Sequence, residues 1–145
     1  MYAALLLIHS LTRWLIVIAL GYVFGRSLAA WRNGRPYGRT DDIWRASTIG
    51  ICHTQLIIGY LLYFAYSPVT KYFVQTGSFE NYQAVFFGVY HIALMTIAIL
   101  VASVGGALVK RAADAKRQHQ LTVIYFGTTL LLVLGGIPWF RRLLF

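Results

Sequence analysis

"AVFFGVYHIALMTIAILVASVGGAL" occupies residues 84–108 and decides how the rest of the chain is read. It runs without a single formal charge, and it holds one histidine, His91. At a helical rise of ~1.5 Å per residue the stretch is about 37 Å long, enough to cross a ~30 Å hydrocarbon core. Three more apolar stretches follow the same pattern, at about 3–28, 46–66 and 120–140. A backbone in lipid must satisfy its polar groups within the segment, so these read as helices. No strand-like alternation competes.

The composition agrees. Of 145 residues, 59% are hydrophobic and only 12% are charged, which is the balance of an integral membrane protein and not of a soluble domain. The net charge of +9 does not indicate nucleic acid, because the basic residues fall in short blocks between apolar runs. Cys52 is the only cysteine, so no intramolecular disulfide can form. A cleaved secretory signal is not expected, since the start lacks a basic region and a small-residue cleavage site.

The links set the direction. Link 29–45 with Arg26 beside it, and link 109–119, together carry nine Lys and Arg, against three in link 67–83 and the C-terminus (Lys71, Arg141 and Arg142). The positive-inside rule puts the two basic links in the cytoplasm and both termini on the outer, periplasmic side. Short links make consecutive helices antiparallel neighbours. The expected architecture is therefore an all-α, integral membrane, up-down four-helix bundle comprising one domain, residues 1–145. Link 67–83, with Tyr72, Phe73, Phe79 and Tyr82, is expected as an outward loop whose aromatics lie in the interface.

Each span carries one histidine near its start: His9, His53, His91 and His119. Because direction alternates, His9 and His91 fall at matched outer depth, about 9–10 Å into their runs by helical rise. His53 and His119 fall on the cytoplasmic side, with a mismatch on the order of 10 Å by the same rise. Neutral imidazole is an axial ligand for haem iron, and bundle cores hold cofactors between facing helices. The pattern predicts b-type haem, one or two, with His9 and His91 as iron ligands of an outer site and His53 and His119 of an inner one. Arg13 lies one turn deeper than His9 on the same face, placed to meet a propionate or another anion. Gly88, Ala98, Ala102 and Gly105 fall within about 60° of His91 around the helix at ~100° per residue, leaving room for a macrocycle or for close helix packing. Thr54 and Gln55 are placed to support His53 or to bond across helices. "GYVFG" at 21–25 is a small-xxx-small pattern pointing away from His9. No Glu-x-x-His, Cys-x-x-Cys, haem-attachment or nucleotide-binding motif is present.

The chain resembles a group of small bacterial four-helix membrane proteins labelled cytochrome b. The resemblance is carried by "LIHSLTRW", "CHTQLIIGYLLYF", "VYHIALMTIAI" and "KRQHQLTVIYF…GGIPW", in order, one per helix. It implies a b-type cytochrome of the bacterial inner membrane, with His9, His53, His91 and His119 at the matching histidine positions. The expected function is electron transfer across the bilayer as a subunit of a respiratory or related redox complex, not an enzyme on its own. Other subunits and the lipid bilayer are the expected partners. A quinone near the outer haem is compatible with this, though no residue set specifies it. The alternative from another class is a haem-free structural or assembly subunit, in which the histidines bond across helices.

Overall fold

The computed structural model describes residues 1–140; Arg141 and Arg142, which weigh against the topology read above, lie outside the described residues. The described chain is helical throughout its spans. Helix α1 covers Tyr2–Asn33, α2 Arg39–Tyr66, α3 Pro68–Thr76, α4 Tyr82–Arg111 and α5 Ala115–Gly136. All but α3 are long and apolar enough to cross a membrane. They extend beyond the apolar runs because the polar flanks continue as helix.

The ends follow local chemistry. Gly34 closes α1 in the left-handed region at φ 67°, which a Cβ would disfavour. The Asp114 carboxylate accepts from the Arg117 N–H and caps α5. Link 67–83 was expected as a loop, but half of it is α3. Ser67 caps that helix by accepting from Thr70 N–H, Pro68 occupies the first turn, and Gly77 ends it at φ 59°. "SPVT" was thus a readable start signal. Thr70 Oγ1 donates to Tyr63 O at 2.7 Å and ties α3 down across one end of the bundle.

The four long helices form a ring in the order α1–α2–α4–α5, so α1 stands opposite α4. Each neighbour pair is antiparallel, as the contacts at both ends demonstrate. Arg26 meets Asp41 at one end of α1/α2 and Gln55 meets His9 toward the other. Arg45 Nη1 donates to Gly106 O, and the Tyr60 and Thr96 hydroxyls meet at 2.8 Å, along α2/α4. Gln118 Nε2 donates to Val109 O and His91 Nδ1 to Gly136 O along α4/α5. Leu20, Cys52, Ala98 and Phe126 lie at the centre of the core. Ile18, Ile57, Leu100 and Leu131 face outward, and such an apolar exterior suits a lipid bilayer.

The small-residue stripe on α4 serves packing. A Cβ on Gly105 would meet Tyr125 Cβ at 2.2 Å, and one on Gly88 would meet the Phe73 ring at 2.4 Å. Ala98 and Ala102 are completely buried. Of the two uses the stripe allowed, close packing is the one seen at Gly88 and Gly105, against α3 and α5.

Candidate functional site

Two helical turns interrupt the regular ladder at the end of the bundle where α3 lies. Leu62–Tyr66 on α2 and Phe86–Tyr90 on α4 are π-helical, a form that widens the turn and recurs at functional sites. They face each other, with Tyr63 Oη donating to Gly88 O at 2.9 Å. His91 follows the second of them directly.

His91 and His9 come together across the bundle. Their ring centres are 6.2 Å apart and their planes are inclined by 70°. The matched depth expected from sequence is therefore what allows two diagonal helices to bring their imidazoles into contact. His91 Nδ1 lies 2.7 Å from Gly136 O. A carbonyl only accepts, so Nδ1 carries the proton and Nε2 of the neutral ring keeps its lone pair. Ligating histidines are commonly oriented in this way. The Phe86 and Phe87 rings flank His91 at 5.9 and 5.7 Å.

His9 is held differently. Its Nδ1 is buried without a hydrogen bond. Gly59 of α2 stands against the ring, where an added Cβ would lie 3.3 Å from His9 Cε1. Gln55, one turn before Gly59, donates from Nε2 to His9 O at 2.7 Å and accepts from the Thr12 hydroxyl. Of the two roles open to Gln55 in the sequence, the structure selects the one across helices, directed at His9. Thr54 instead bonds its own helix at Gly50 O and faces outward.

A cleft contains this pair. It runs from a floor at Cys52 and Ile99 up to Thr70 beneath α3, and Arg13 lines it one turn inward of His9. The cavity has a volume of about 130 Å³. The Arg13 guanidinium lies 5.4 Å from the centre of the Trp14 ring, which in turn packs edge-on against Trp139. Trp139 follows the end of α5.

The outer pair brings two neutral-capable imidazoles into one cleft, with ring centres 6.2 Å apart and His91 held by Gly136 O with its Nε2 lone pair free of that bond. Two histidines are a donor set of the kind that can hold a haem iron.

The inner pair is not assembled. His53 is exposed on the outside of the bundle, where Nδ1 donates to Ile49 O at 2.9 Å and Nε2 lies 3.2 Å from Ser103 Oγ. His119 is completely buried, its ring 5.1 Å from that of Tyr37, which precedes α2. Its ring nitrogens make no hydrogen bond of normal geometry. His53 is fourteen residues into α2, about 21 Å along the axis from its start at ~1.5 Å per residue. The two histidines therefore stand at different depths and face different surroundings, and they do not fit one haem between them.

What occupies the opposite end of the bundle instead is a polar clasp. Asp41, almost wholly buried, accepts from Arg26 Nε at 2.8 Å, from both terminal nitrogens of Arg35 at 2.7 and 3.1 Å, and from Gly38 N–H at 3.0 Å. Arg45 joins Asp42 to Gly106 O. Burial among these groups raises the Tyr37 phenol above its usual value. The sequence placed these arginines in a topology-setting block; only folding makes two of them partners of one carboxylate. Among the described residues no three His, Cys, Asp or Glu side chains gather as a metal site. No protein-family model, curated protein or solved structure matches the chain.

Proposed function

We propose that this chain is a small b-type cytochrome of the bacterial inner membrane, holding one haem between His9 and His91. The observation that carries the reading is the pair itself: two histidines on diagonal helices at one depth, 6.2 Å apart, inside a cleft that also takes in Arg13. A haem held by two histidines would suit electron transfer over oxygen activation. When bound, the haem supplies a one-electron redox centre. The chain's own contribution is to orient the imidazoles, close the cleft with α3 and offer Arg13 to a propionate. The termini and this site belong on the periplasmic side, by the excess of Lys and Arg on the other two links. A single haem near one face does not span the bilayer, so a membrane quinol or a partner subunit's cofactor must complete the path. The relation to small bacterial cytochromes b belongs to this proposal too.

A haem-free structural subunit is the competing reading. It is favoured by the direct edge-to-face contact of the two rings. The visible spectrum of the purified protein separates the two. Reduced-minus-oxidised bands of a low-spin b haem are expected, with pyridine haemochrome giving one haem per chain. Well-folded protein from haem-replete cells that shows no such bands would remove the cytochrome reading.

A further inference from the structure

We infer that Gln55 and Gly59 of α2 are positioning residues that hold the His9 imidazole near perpendicular to that of His91. The inference rests on the haem reading above and specifies the electronic character of that site. Gln55 grips α1 from both ends of its amide, donating to His9 O at 2.7 Å and accepting from the Thr12 hydroxyl, three residues further on. This fixes the turn of α1 that carries the ring. Gly59 lies on the same face of α2, one turn toward the outer end, and presents bare backbone to the ring. Any side chain there would press on His9 Cε1 at 3.3 Å. Across the cleft, Gly136 O fixes His91 through Nδ1. The two supports are independent, one from α2 and one from α5, and they leave the ring planes inclined by 70°.

The angle has a chemical consequence. In low-spin ferric haem each axial imidazole acts through its π system on the iron dπ orbital that its plane selects. Parallel rings act on the same orbital and split the pair. Rings near perpendicular act on one each and leave the pair close in energy, so the magnetic anisotropy is large. The orientation of axial ligands by outer groups is one of the means by which a protein tunes such a centre.

Frozen-solution EPR of the oxidised, purified chain tests this. The expected signal is a single feature at low field, not a three-line rhombic spectrum. Gln55→Met keeps the volume but removes both amide hydrogen bonds, and Gly59→Ala pushes the ring. In whatever haem each variant retains by pyridine haemochrome, the low-field feature is expected to move toward the rhombic pattern. A haem-bearing wild-type protein with a rhombic spectrum overturns the inference and leaves the cytochrome reading standing. So does a low-field feature that neither substitution moves. Absence of haem from folded protein overturns both. Should Gln55→Met fail to fold, the wild-type spectrum and Gly59→Ala decide.

Discussion

His91 Nδ1 lies 2.7 Å from the carbonyl oxygen of Gly136, so the last turn of α5 selects the tautomer of an imidazole carried by α4. The bond also serves α5, whose final carbonyls have no partner within the helix. A Cβ on Gly136 would meet Met95 Cε at 2.3 Å. Met95 can swing its terminal methyl from a lone Cβ, but Val brings two methyls more against it and Leu94 Cβ, so Gly136→Val is expected to shift the helix end off His91. Loss of such an outer partner typically costs ligand sites about 10–100-fold in affinity, and haem titration of the apoprotein should show a loss of that order.

Removing the imidazoles themselves separates the two histidine pairs. His9→Ala and His91→Ala should each abolish the haem absorbance. His53→Leu should leave it at one per chain, because His53 faces outward and bonds Ile49 O and Ser103 Oγ rather than the cleft. Pyridine haemochrome of the purified variants checks this; a halved content in His53→Leu would restore the two-haem expectation.

His119→Leu should be close to neutral, within about 1 kcal/mol, since an unbonded buried polar ring is replaced by an apolar side chain. Haem content should not change. The measurement is detergent-titrated unfolding beside the absorbance spectrum. A large loss of stability would mean that the main chain of Arg35 and Pro36, which lies beside the ring, bonds it more firmly than the geometry indicates.

Asp41→Ala leaves Arg26, Arg35 and the Gly38 N–H facing a vacated site. Breaking a wholly buried pair costs about 3–5 kcal/mol, but both arginines are about a third exposed, so a loss nearer 2 kcal/mol is expected. The same unfolding titration reads it. The outer site is at the other end of the bundle, and its spectrum should survive.

Gly105→Leu should be among the most damaging single substitutions. Its Cβ would fall 2.2 Å from Tyr125 Cβ, where neither backbone can easily withdraw. Overpacking of this kind costs about 1–3 kcal/mol, and loss of folded, haem-loaded protein during purification is the readout.

The sequence by itself determined the four long helices, because a hydrophobic run of bilayer length has one economical backbone solution in lipid. It also placed His9 and His91 at one depth, since helical rise converts residue number into distance along the axis. Link 67–83 was misread because its cap signal is local and short, and aromatic content outweighed it. Around the axis, number alone says less. Which faces meet depends on how helices pack, and that decided that Gly105 and Ala102 admit a neighbouring helix and that His53 turns outward. Only the tertiary structure could supply Gln55, Gly59 and the Gly136 carbonyl as supports of the two rings. A glycine and a main-chain oxygen carry no chemical mark in sequence, and their roles exist only through the side chains that folding brings against them.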